Sequence, residues 1–184
     1  MIATSPDPVA TFGLGTNPAD SRNLRFVKSD APGEELKAST ARARELFLQA
    51  WALMEMNGRT EEESERMINS AHASRYYWEE SGTIVNRAVA EWLLSRCYVG
   101  LGRAEPALYH ARRCESLSAS PDATLLCRAY AQEALARAYL LGRHPVVAAE
   151  ALSTAESLAA KLSTSDSFYI GQELRALREV LKGA

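Results

Sequence analysis

From position 34 onward, apolar residues return every three to four places, and short polar breaks divide the pattern into helix-length stretches. The first helix is predicted over 34–56, with Leu46, Ala50, Leu53 and Met54 on one face. Asn57-Gly58 ends it, because glycine tolerates the left-handed conformation at a helix C-terminus. Thr60 with Glu63 reads as a capping box opening the second helix. The acidic run Glu61-Glu62-Glu63 falls in that first turn, where it favours the helix dipole and needs no cation. Ser81-Gly82 breaks the second helix. A third is predicted over 83–99 and a fourth over 105–117, with Pro106 in its first turn. Ser120-Pro121 reads as the N-cap and first position of a fifth helix ending near Leu141. Pro145 opens a sixth that reaches about Leu162. After the polar break of 163–165, residues 166–182 form a last helix with Phe168, Leu174, Leu177 and Leu181 on its apolar stripe. The expected fold is all-α: three antiparallel helical hairpins closed by a C-terminal capping helix.

Residues 1–33 are different. They hold Pro6, Pro8, Pro18 and Pro32 with Gly13, Gly15 and Gly33, and show no apolar periodicity. A flexible arm is expected there, docking at most locally through Leu24, Phe26 and Val27. The folded domain is expected over 34–184.

Within that domain, Leu94, Ser95, Arg96, Tyr98, Ala107 and Leu117 return 41 positions later as Leu135, Ala136, Arg137, Tyr139, Ala148 and Leu158. Each copy has a glycine between its two apolar stretches, Gly102 and Gly142. A fixed offset with a punctuated pair of helical patterns marks a stacked array of hairpins.

The run Trp92-Leu93-Leu94-Ser95-Arg96-Cys97-Tyr98, followed by Gly102, Ala107, Ala111 and Cys114, resembles a tetratricopeptide (TPR) repeat. So does Leu135-Ala136-Arg137-Ala138-Tyr139, followed by Gly142, Ala148, Leu152 and Ala155. The likeness covers about 88–160. It is weaker over 34–80, where Glu63 occupies the place of the small alanine. The period is longer than the family's usual one, and the family's proline after the second helix is out of register. The resemblance implies a right-handed TPR-like stack whose first helices line a concave face. The stretches AHASRYYW and GRAEPALYHARRC are also similar to a group of uncharacterised bacterial TPR-like proteins, a likeness that implies no particular activity.

Composition removes several function classes. With 21 basic against 23 acidic residues the net charge is −2, so there is no field to attract nucleic acid or an anionic membrane. No run of about 18 apolar residues is present to span a bilayer. The N-terminus lacks the basic-then-apolar pattern of a secretion signal. Three cysteines, Cys97, Cys114 and Cys127, form no CxxC pair, and reduced thiols in a cytoplasmic protein are expected. HExxH, P-loop and GxSxG patterns are all missing, and no cofactor is expected.

On the TPR-like reading, Trp92 and Arg96 in one repeat and Glu133 and Arg137 in the next face the groove. Two arginines one repeat apart beside an aromatic suit an acidic segment of a protein or peptide partner. Internal pairing of Glu133 with Arg137, four apart on one helix, is the competing use. A second constellation is a polar pocket from His72, Arg75, His110 and Glu133, with Cys114 one turn beyond His110. His110 and Cys114 would need His72 as a third convergent ligand to hold a metal. The aromatics Trp51, Tyr76, Tyr77, Trp78 and Trp92 suit interhelical packing first and partner contact second. The expectation is a non-catalytic interaction scaffold, with a small-molecule or metal-binding sensor or enzyme as the alternative. Large terminal faces make self-association a further expectation.

Overall fold

The computed structural model describes residues 33–183. Every regular element among them is a helix: α1 (Gly33–Glu55), α2 (Glu61–Ser81), α3 (Ile84–Gly100), α4 (Ala104–Ser118), α5 (Leu125–Leu141), α6 (Pro145–Ala159) and α7 (Thr164–Lys182). Apart from Gly33, which opens α1, the expected N-terminal arm lies outside the described residues.

Local chemistry sets most boundaries. Thr60 accepts a hydrogen bond from the Glu63 amide at 3.1 Å, and its own amide donates to the Glu63 carboxylate at 2.8 Å. Thr83 and Asn86 build a second capping box at the start of α3. Gly58 and Gly102 take the left-handed conformation, with φ of 70° and 69°. Gly82 is required for another reason: a Cβ there would stand 2.6 Å from the Trp78 carbonyl oxygen and 2.9 Å from its ring.

Two sequence expectations need correction, and one loop holds a surprise. The fifth helix starts at Leu125, capped by Thr124, not at Ser120-Pro121. The Ser120 hydroxyl instead accepts from the Asp122 amide, and the Ser120 carbonyl from that of Ala123, which makes 120–123 a turn. Arg128 fastens this turn by donating to the carbonyls of Ser118 and Ser120 at 3.2 and 3.1 Å. In the loop after α5, the left-handed residue is Arg143 (φ 61°), not Gly142. It lies 41 positions after Gly102, so the turn follows the repeat more faithfully than the glycines do. On α7, Phe168 is exposed and Ile170 is buried instead, because 170, 174 and 177 share one face of a 3.6-residue helix.

Consecutive helices pair tightly: α1 with α2, α3 with α4, α5 with α6. Neighbouring pairs meet through α2–α3 and α4–α5 and through the contacts α1–α3 and α3–α5, while α7 packs on α6 and α5. The burial pattern repeats along the whole domain. Trp51, Trp92, Glu133 and Leu174 are 41 positions apart and all buried, as are Phe47, Ala88, Ala129 and Ile170. On the second helices, Met67, Ala71 and Ser74 are buried 40 positions before Ala107, Ala111 and Cys114, which precede Ala148, Leu152 and Ala155 by 41. The first pair therefore keeps register, with Met67 rather than Glu63 in the alanine position. An aromatic column runs through the first helices. Trp92 stacks on Trp51 at 5.5 Å and meets Tyr130 edge-on at 5.3 Å.

Candidate functional site

Two glutamates are withdrawn from solvent among these helices, and each organises a polar cluster. Glu133 on α5 is fully buried in a column position that is tryptophan or leucine in the other first helices. Its carboxylate accepts the Trp92 indole N–H at 2.8 Å, Arg96 at 3.1 Å, and the Arg137 guanidinium one turn along α5. Both arginines continue to Glu173 on α7, Arg96 at 3.2 Å. Burial by itself would raise the Glu133 pKa, but the charges of Arg137 and Arg96 and the hydrogen bonds from Arg137 and Trp92 outweigh it and hold the carboxyl below its ordinary range.

The four residues expected to line a partner groove, Trp92, Arg96, Glu133 and Arg137, are thus brought together, but facing one another. Trp92 is 2% exposed and Glu133 0%, so neither presents a surface. For Trp92 and Glu133 the groove assignment is corrected on that ground; Arg96 and Arg137 stay partly exposed but spend their charges on two carboxylates in a joint between α3, α5 and α7.

Glu91 on α3 centres the second cluster and is 1% exposed. One oxygen accepts Nε of Arg75 from α2 and Nε of Arg113 from α4, both at 2.7 Å. The other lies 2.7 Å from Nδ1 of His110 on α4. Burial opposes the charge, but the hydrogen bonds from His110, Arg113 and Arg75 dominate and hold the Glu91 pKa at about 2. An ionised carboxylate only accepts, so His110 carries its proton on Nδ1. The His110 ring stacks on Tyr98 at 5.6 Å, and the Tyr98 hydroxyl lies 2.9 Å from Nε2 of His72. Desolvation, then the charges of His110 and Arg75, push the His72 pKa down, so it is neutral at pH 7.

Of the expected polar pocket, His72, Arg75 and His110 do converge. Glu133 and Cys114 do not belong to it. Glu133 lies in the other cluster, and Cys114 is buried beside Ser118 and Cys127, its thiol pushed well above the ordinary range by burial. Among the described residues no three histidine, cysteine or acidic side chains come together in a way that could hold a metal ion.

The Glu91 cluster opens to the surface. A cleft of about 40 Å³ is lined by Arg75, Glu79, Arg87, Glu91, Arg113 and Leu117. One repeat on, a cleft of about 300 Å³ is lined by Glu115, Ala119, Arg128, Gln132 and Leu158 among others. Arg75 and Glu79 precede Glu115 and Ala119 by 40 positions; Arg87, Glu91 and Leu117 precede Arg128, Gln132 and Leu158 by 41. The two clefts are equivalent sites on successive hairpins, each with an arginine from a first helix in its wall.

Sequence reasoning missed Glu91, Arg87 and Arg128. The signal was present: Arg87 and Arg128 obey the same 41-residue offset as Arg96 and Arg137, and Glu91 stands one place before Trp92 in an otherwise apolar run. Which arginine pair faces outward is a matter of helix rotation that the offset does not contain.

No protein-family model, no curated protein and no solved structure matches this chain. No helix among the described residues is long and apolar enough to cross a membrane.

Proposed function

We propose that this protein is a non-catalytic binding scaffold, a right-handed TPR-like stack that recognises an acidic segment of a partner protein along the seams between its hairpins. The observation that carries this reading is the pair of repeat-equivalent surface clefts, with Arg87 in one and Arg128 in the other. An extended segment crossing both seams would meet, at the first, the Arg87 guanidinium, unengaged among the described residues. At the second it would meet Nη1 of Arg128, whose Nε and Nη2 are given to the Ser118 and Ser120 carbonyls. Guanidinium groups suit carboxylates geometrically. The more than half-exposed Tyr76 and Tyr109 offer apolar contact near the first cleft; the Arg113 guanidinium lies 5.9 Å from the Tyr109 ring. Exposed tyrosine beside arginine is a common composition for the few residues that dominate a protein interface. The stack itself is supported by the 40- and 41-residue register of burial through all three pairs.

Fluorescence anisotropy with labelled peptides rich in glutamate and aspartate tests the reading. The wild-type chain should bind a subset of them, and Arg87→Ala with Arg128→Ala should weaken that binding about tenfold or more. Arg87→Ala alone, which leaves the Arg128 clasp on the 120–123 turn intact, should already cause part of the loss. Binding that survives in the double variant, or no acidic peptide bound by the wild type, defeats it.

A further inference from the structure

We propose that the cleft between α2, α3 and α4 binds one small oxyanion, a carboxylate or a phosphate group, held chiefly by the guanidinium of Arg87. Arg87 stands one helical turn before Glu91 on α3 and shares the cleft wall with Arg75 and Arg113. Its Nε is enclosed by protein with no acceptor, and among the described residues no hydrogen bond or ion pair engages its side chain. Its terminal nitrogens are therefore uncommitted in the cleft wall, and an oxyanion in the cleft supplies them with an acceptor.

The neighbours are arranged to help. Arg75 and Arg113 each commit Nε to Glu91, which leaves terminal nitrogens available; among the described residues the one further ion pair they make is Arg75 Nη1 to Glu79 at 3.4 Å. Both Glu91 oxygens are taken, one by the two arginines and one by His110. Glu91 therefore fixes the Arg75 and Arg113 guanidiniums in place and makes no hydrogen bond to Arg87. Three arginines against two glutamates leave the cleft wall with a positive excess, whereas the Glu133 cluster is balanced. A volume of about 40 Å³ is room for one head group within the cleft.

This inference rests on the same cleft as the scaffold reading but not on a peptide spanning two clefts. Its test is NMR of the arginine Nε–Hε correlations in the ¹⁵N-labelled full chain. The chain is titrated separately with sodium phosphate and sodium acetate, with sodium chloride holding ionic strength constant. The Arg87 correlation should shift saturably, with smaller shifts at Arg75 and Arg113. Arg59 is the internal control: its Nε is also without an acceptor, but its Nη1 is spent on the carbonyls of Leu53, Met54 and Met56.

Arg87→Gln should raise the apparent Kd read at Arg75 and Arg113 about tenfold or more. Arg87→Lys, which keeps the charge but loses the fork, should give a smaller loss and serves if the glutamine variant does not fold. Saturation by phosphate alone assigns a phosphate group; saturation by acetate assigns a carboxylate. Shifts that stay linear with concentration, that spread equally over exposed arginines, or that persist in the Arg87 variants overturn the site. Saturation by an anion with no acidic peptide bound keeps the site and removes the segment reading. Peptide binding without saturation by either anion does the reverse.

Discussion

Glu133 and Glu91 are both buried carboxylates on first helices, both lie against arginines, and both are held ionised. They differ in what surrounds the pairing. At Glu133, two carboxylates and two guanidiniums cancel inside a joint of three helices, and the Trp92 N–H takes up a remaining oxygen position. At Glu91, the carboxylate gathers two arginines and a histidine beside a cleft, and a third arginine in its wall, Arg87, has no hydrogen-bond or ion-pair partner among the described residues. A balanced cluster whose charges are spent on one another has little left to offer a ligand. An unbalanced one at a cleft does, and its buried carboxylate serves to aim the guanidiniums.

The sharpest way to break this comparison is to remove each centre. Glu133→Ala leaves the partly buried Arg96 and Arg137 with Glu173 alone and strands the Trp92 N–H, and should cost about 3 kcal/mol in urea denaturation. Arg96→Ala with Arg137→Ala should likewise lower the melting temperature steeply. If that double variant melts like the wild type, the cluster is not a structural joint and the groove assignment returns.

Glu91 provides the next effect, through pH. Its carboxyl titrates near 4.5 when unfolded and at about 2 in the fold, so the unfolded chain takes up the proton first. The stability it contributes, roughly 3 kcal/mol, is complete above pH 4.5 and is lost as pH falls toward 2. Glu91→Gln should lower stability at pH 7 and flatten this acid limb; a variant with an unchanged acid limb would show that the cluster does not hold the carboxylate down. Tyr98→Phe removes one hydrogen bond to an exposed histidine and should cost about 1 kcal/mol or less by the same measurement. The smallest effect separates the two clusters most clearly. Arg87→Ala, with no partner to strand, should change stability by no more than about 0.5 kcal/mol, while it weakens anion or peptide binding. A large loss of stability would mean that Arg87 is structural, as Arg96 and Arg137 are.

Helix positions were legible because capping and periodicity are local. Thr60 with Glu63 and the Pro145 start were read directly from neighbouring residues. The misplacements were also local in cause: Ser120-Pro121 carries a helix-start signal that a short turn uses as well, and Arg128, beyond the window of such rules, pins that turn. Phe168 lies six residues before Leu174 and so falls off the buried face, whereas Ile170, four before it, shares that face. For the site, half was legible. His72, Arg75 and His110 were recognised as a polar group, while their true centre, Glu91, was hidden in a run of apolar neighbours.

The sequence by itself determined the helices, their pairing into hairpins and the repeat that relates them. These follow from 3.6-residue periodicity, end caps and short connections. The tertiary structure alone decided which polar residues meet and which face outward. Trp92 and Glu133 are 41 residues apart, as are Arg87 and Arg128, yet the first pair closes a buried joint and the second lines the surface. The offset fixes equivalence between repeats, but rotation of each helix about its axis, set by close packing of the whole stack, decides what an equivalent residue touches.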